Sequence, residues 1–590
     1  MHSMNASPTR RAVLAGGAGV LGLLLAGCTQ SKDAPTPSTG SQRRVLILQT
    51  PAASGSWDPV VATDLESQRI SRQIYDTLIA IEAETGNPAA GLSTSWTVSD
   101  DGLVYEFTLR EGVSFQDGTA FDANAVVANF KRWNALGSVT DPAVASVSTL
   151  FDAAPDANAL TPRPAVEPPE GETGATPSAE PTADPDAAPL PQTTTADPLE
   201  DPLALTGSPF KRVEATDAKT VRLQLERPLT PLIRALTNPC FGIVSPAALK
   251  EAGALNGMSQ GDKLGRSNAG TGAFSAALDG ATIVLTAVPE HFAGDSQVDE
   301  VRLTPVTNVT RRVWDLEAGR TQGFDLVTVD VLKDLVQNTQ QVLQRDPFSV
   351  AYLGLNRSNK WLAKEQVRRA MAHAIDRGAL IDGLFITSTR QASSVLPPSL
   401  GIADPTTAYA HDPEKAKRLL AAAGYAGEAI PFHFPTDVAR PYLPLPERLY
   451  SRLATQLSAV GLVLAPQPRP WDEGYFQDVL SGDDAGLHLL GAQGTFRDPE
   501  NFLGRLFARV MPEFNYDSPE VRRRIRVAKS LPDGEARNAA YADVVELLTI
   551  DLPLIPLAYP ISALAMGPNV AQYPVSPFLD EPLRSVVLSA

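Results

Sequence analysis

In the stretch VYEFTLR, Tyr105, Phe107 and Leu109 alternate with Glu106 and Thr108, the period of a strand with one buried face. TVRLQLE repeats that period through Val221, Leu223 and Leu225, and RVLILQT predicts another strand beginning near residue 44. In FDANAVVANFKRW the period lengthens. Val126, Val127, Phe130 and Trp133 share one face of a helix that Asp122 can cap. EQVRRAMAHAID predicts a second helix through Val367, Ala370, Met371 and Ala374. HDPEKAKRLLAAAGY predicts a third, with Asp412 at the N-cap, Pro413 in the first turn and Gly424 just past the end. Near the C-terminal third, LHLLGAQGTFRDPENFL begins as a buried strand and breaks into Gly491, Gln493, Gly494 and Thr495 before an Asp-Pro turn. Small residues there leave main-chain groups accessible, as a ligand-facing backbone would be. Strands and helices are interleaved, so the expected class is α/β or α+β.

The 590 residues predict roughly two or three domains of about 100–250 residues each. At the N-terminus Arg10 and Arg11 precede AVLAGGAGVLGLLLAG, which ends in LAGC at Cys28. The run is shorter than the about 20 apolar residues a spanning helix needs, and it is rich in glycine, so it reads as a secretory signal over residues 1–27. LAGC resembles a bacterial lipobox, which implies cleavage before Cys28 and acylation of its thiol. TRRAVL fits both a twin-arginine and a Sec lipoprotein signal. GAGVLG, from Gly17 to Gly22, matches GxGxxG in form only, since no strand precedes it and it lies within the signal. Residues 28–43, small, polar and proline-bearing, suit a flexible tether. Residues 152–207 hold about a dozen prolines among Ala, Thr, Asp and Glu, and are expected to form a disordered excursion.

Charge and missing motifs narrow the chemistry. A formal net charge of −17, with no Lys/Arg run beyond three residues, argues against a nucleic-acid partner. With Cys28 acylated, Cys240 is left alone, so no internal disulfide forms and the core must supply stability. The histidines are scattered singly, and no HExxH, CxxC, GxSxG or GxxxxGK[ST] motif is present. Asp483 and Asp484 read as solvated turn residues. No catalytic residue, metal site or cofactor is assigned.

Residues 88–133, PAAGLSTSWTVSDDGLVYEFTLREGVSFQDGTAFDANAVVANFKRW, resemble the signature block of the family 5 extracellular solute-binding proteins, the oligopeptide, dipeptide and nickel receptors of ABC importers. SWDPVVATDLESQRISRQIYDTLI, NAGTGAF, DPENFLGRLF and DLPLIPLAY extend the resemblance over most of the mature chain. It implies a two-lobed periplasmic-binding-protein-like clamp (type II, cluster C) with an additional small domain. The first lobe would span 44–348, interrupted by 152–207, the second 349–552, and 553–590 would return to the first. The protein would be a monomer and not an enzyme. Held at the outer face of the cytoplasmic membrane by its lipid anchor alone, it would deliver oligopeptides to a permease driven by ATPase subunits. The ligand-binding residues the resemblance implies are Thr63, Asp64 and Leu65 on the first lobe. On the second they are Gly491, Gln493 and Thr495, with Trp471 as an aromatic wall. Peptide receptors of this family usually carry an aspartate for the peptide amine where this chain has Thr495. Either Asp64 supplies the missing charge or the ligand has no free amine there, and Arg497 would favour an anionic ligand. A non-peptide or modified-peptide ligand, or a regulatory envelope role without transport, are the alternatives.

Overall fold

The computed structural model describes residues 43–137, 147, 150, 208–482 and 485–589. The signal, Cys28, the tether up to residue 42, the 152–207 segment and the pair Asp483 and Asp484 lie outside the described residues.

The two alternating stretches form strands Val104–Leu109 and Thr220–Leu225, which pair antiparallel with Phe107 opposite Val221. With Ser93–Val98 and Phe210–Ala215 they make a four-stranded sheet. Helix Ala123–Leu136 packs on it through Val126, Phe130 and Trp133, all fully buried. Asp122 caps that helix by accepting the Asn124 and Ala125 N–H groups. Helices Glu365–Ala374 and Pro413–Ala422 form as their periods predict, and Asp412 accepts the Lys415 N–H at 2.8 Å. Gly424 follows with φ +68°, a left-handed turn that stops the helix.

Two larger sheets organise the remainder. A seven-stranded sheet runs in the order Gln341–Arg345, Ser562–Met566, Gly323–Asp325, Val45–Thr50, Glu300–Pro305, Thr282–Ala287, Phe274–Asp279. A six-stranded sheet runs Arg390–Gln391, Leu554–Tyr559, Ser349–Leu355, Leu487–Gln493, Ile430–Thr436, Leu464–Pro470. Its central strand Ser349–Leu355 is buried at every position, and the largest core cluster is built around this sheet. The chain passes between the two sheets through residues 346–348 and again through 560–561. This corrects the expected boundary at 552. Leu554–Tyr559 pairs antiparallel with Ser349–Leu355, because that strand needs a hydrogen-bonding partner on its second edge. The return to the first sheet therefore begins at Pro560.

Candidate functional site

Between the two large sheets lies a cavity of about 760 Å³, lined from both halves of the molecule. Thr63, Asp64 and Leu65 reach it from the start of helix Leu65–Ile74, and Asn238 reaches it from the short helix at Pro239–Phe241. Arg440, Tyr442, Trp471, Gln493, Thr495 and Glu513 come from elements around the six-stranded sheet. The halves also touch directly. Arg234 pairs with Asp533 at 2.6 Å, Arg448 with Asp330 at 2.6 Å, and the Thr230 hydroxyl donates to the Leu531 carbonyl at 2.6 Å.

Of the residues singled out from sequence, Thr63, Asp64, Leu65, Trp471, Gln493 and Thr495 line this cavity. Asp64 is an N-cap: one carboxylate oxygen accepts the Ser67 N–H at 2.9 Å and the other the Ser67 hydroxyl at 2.5 Å. Its charge also sits at the positive end of the helix, so both oxygens serve the fold first. Trp471 forms a wall, with the Arg440 guanidinium 4.2 Å from its ring centroid. Gln493 turns its amide to the carbonyls of Phe348, Gly494 and Pro577, bracing the crossover.

Gly491 and Arg497 do not line the cavity. The main chain of Gly491 is paired to Ala351, and a Cβ there would overlap the Tyr442 ring. A Cβ at Gly494 would likewise overlap Phe348. The small residues at 491 and 494 thus make room for aromatic rings. Arg497 is exposed and donates to the carbonyls of Thr85 at 3.2 Å and Ser399 at 3.3 Å. Its guanidinium ties loops together away from the cavity because the turn at Phe496 sends it outward.

Thr495 is 5 % exposed, and its hydroxyl oxygen accepts from Asn238 Nδ2 at 2.8 Å and from Asn501 Nδ2 at 3.3 Å. Both amides are oriented by other bonds. Asn238 Oδ1 takes the Cys240 N–H at 3.0 Å, and Asn501 Nδ2 also donates to the Phe496 carbonyl at 3.2 Å. The position of the expected amine-binding aspartate is therefore a neutral contact between the halves.

The charges that sequence reasoning missed lie deeper. Arg440 is 5 % exposed, and among the described residues its guanidinium has neither an ion pair nor a hydrogen bond; its Nε is buried without a partner. Arg505 lines the same cavity and reaches the Gly491 carbonyl at 3.4 Å. Glu500 is buried, and burial pushes its carboxyl up to about 7, with Lys529 Nζ at 3.2 Å only partly offsetting that. Glu513, 1 % exposed, accepts from the Tyr352 hydroxyl at 2.8 Å and from His488 Nε2 at 3.0 Å. None of these sits in a motif that would mark it, as DVARPY around Arg440 and MPEFNY around Glu513 show. Among the described residues no group of three or more His, Cys, Asp or Glu is arranged to hold a metal ion, and no helix is long and apolar enough to cross a membrane.

Two sheet-centred lobes joined by two short crossovers, with a charged cavity between them and a four-stranded small domain beside them, define a type II, cluster C binding clamp. Residues 87–510 match the bacterial extracellular solute-binding proteins, family 5 Middle, and the chain belongs to that family. Heme-binding protein A of Haemophilus influenzae is 25% identical over 588 residues, covering 94% of this chain and 95% of the relative. Di/tripeptide-binding protein 2 of Pseudomonas aeruginosa is 26% identical, covering 91% and 93%. Among solved structures, the DppA periplasmic binding protein of Helicobacter pylori in complex with the peptide STSA superposes with a TM-score of 0.74 at 23% identity, covering 93% of this chain and 99% of that one. These relatives are substrate-binding receptors rather than enzymes, and family members bind peptides or related small ligands outside the cytoplasm.

Proposed function

We propose that this chain is the lipid-anchored receptor of an ABC importer, capturing short peptides by an anionic group that Arg440 receives. The observation that carries the reading is Arg440 itself. A buried guanidinium facing a cavity with no acid in ion-pair contact is costly unless a ligand supplies the counter-charge. Arg505 adds a second cation to the same wall, and Trp471 holds the Arg440 plane by stacking. The cavity volume of about 760 Å³ lies within the roughly 300–1,000 Å³ of small-molecule sites, which suits a short peptide. The first lobe runs from residue 44 to 348 with its small domain and resumes at 560, the second spans 349–559, and closure bends the crossovers at 346–348 and 560–561. As a monomer held by acylated Cys28 at the outer face of the cytoplasmic membrane, it hands its ligand to a permease and ATPase pair.

Calorimetry with di- and tripeptides bearing a free C-terminal carboxylate, set against their C-terminal amides, tests the ligand. Binding of the acids alone is expected; equal binding of the amides, or no binding of either, would overturn the reading. For the anchor, Cys28→Ser is expected to release the protein from the membrane fraction. A second reading, an anionic ligand that is not a peptide, draws on Thr495, whose neutral hydroxyl stands where peptide receptors of this family carry an aspartate.

A further inference from the structure

A peptide bound with a free amine needs an acid in the cavity, and Thr495 supplies none. Five acids line the cavity: Asp64, Asp437, Asp472, Glu500 and Glu513. Asp437 and Asp472 are exposed at its rim, where water screens a charge strongly. Both oxygens of Asp64 are engaged by Ser67. Glu500, whose two oxygens also lack a hydrogen bond, faces the buried ammonium of Lys529 at 3.2 Å.

Glu513 differs from Glu500, the other fully buried acid, in having no lysine or arginine among the described residues at its carboxylate. It is 1 % exposed, Tyr352 and His488 both hold its Oε1, and its Oε2 has no hydrogen-bond partner. Among the described residues no lysine or arginine lies within ion-pair distance of it, and neither residue holding Oε1 carries a permanent charge. The fold has been shaped to hold it so. Gly354 lies opposite His488 in the antiparallel register, and a Cβ there would run into the imidazole that reaches Glu513. The Asn356 side chain donates to the Pro512 carbonyl at 3.1 Å, and Phe514 N–H to the Met511 carbonyl at 3.2 Å, which fixes the segment bearing the carboxylate. One oxygen is thereby set in place and the other left for a donor, a preorganised acceptor in a dry site.

We infer that Glu513 Oε2 receives the ammonium of the ligand, in place of the carboxylate that position 495 lacks; this rests on the peptide-receptor reading above. The test is calorimetry of the full chain with two probes, alanyl-phenylalanine and its N-acetyl form. Wild-type protein is expected to prefer the free amine by at least about 30-fold. Glu513→Gln is expected to abolish that preference by weakening binding of the free-amine probe. Should Glu513→Gln fail to fold, Glu513→Asp keeps a charge for His488 but withdraws it from the cavity, and is expected to reduce the preference. A preference that persists in the variant overturns the assignment. So does equal binding of both probes to wild-type protein, which leaves the peptide reading standing. If neither probe binds wild-type protein, the peptide reading falls and this assignment falls with it.

Discussion

Two groups of buried charges in this protein are equally hidden from water and oppositely arranged. Behind the cavity, Arg345 forks between Asp325 at 2.7 Å and Glu581 at 2.5 Å, while Arg69 pairs with Glu66 at 3.1 Å, with Glu581 at 3.3 Å and with Asp325. The side chains of this cluster are 1–6 % exposed. At the cavity wall Arg440 and Glu513 are as deeply buried, yet Arg440 has no acid and Glu513 keeps one oxygen open. The first cluster joins helix Leu65–Ile74, the ends of strands Gly323–Asp325 and Gln341–Arg345, and the C-terminal segment, next to the 346–348 crossover. Each of its charges has an opposite partner within the chain, although Glu66 Oε1 takes no hydrogen bond, and together they hold the hinge region. Those at the cavity are left for a ligand, so the state of pairing, and not burial, separates the two roles.

The comparison predicts opposite consequences for arginine loss. Arg345→Ala strands Asp325 and Glu581 with fewer partners, and unfolding in denaturant should show a loss of about 3–5 kcal/mol. Arg440→Gln should leave stability within about 0.5 kcal/mol of wild type, but weaken binding of carboxylate-bearing peptides by about 2 kcal/mol or more in calorimetry. A large stability loss from Arg440→Gln would erase the contrast.

The paired cluster also predicts a pH dependence. Burial raises the Glu66 carboxyl from 4.5 to about 7, with Arg69 lowering it only in part and the carboxylates of Asp325 and Asp64 adding to the rise. The folded protein then holds a proton that the unfolded chain has released, so stability should fall as pH rises from about 4.5 to about 7. Glu500, raised for the same reason, adds to the slope. Melting temperatures from pH 4.5 to 8 should show this decline, and Glu66→Gln should flatten it by about 2 kcal/mol. The smallest effect is expected from Arg497→Ala. Its guanidinium lies outside the cavity on two loop carbonyls, so both stability and peptide affinity should change by less than about 0.5 kcal/mol.

Much of the fold was legible in local pattern. Asp122 and Asp412 cap the helices predicted from them, and Phe107 and Val221 meet across the strand pair their periods required. Such features depend on residues within a few positions of one another, where backbone sterics and amphipathic period act directly. The cavity position of Asp64, Trp471 and Thr495 agrees with the family resemblance, while Gly491 lies outside the cavity lining. Its smallness reflects the Tyr442 ring, which only the tertiary structure brings onto it. The same distance in sequence hid the chemistry of the site. Nothing near Arg440 or Glu513 in the chain distinguishes a charge exposed to water from one buried without a full set of partners. Sequence by itself determined the elements, their caps and the class of clamp. Which charges are satisfied was decided by the tertiary structure, because desolvation and pairing depend on segments that meet only when the two lobes come together.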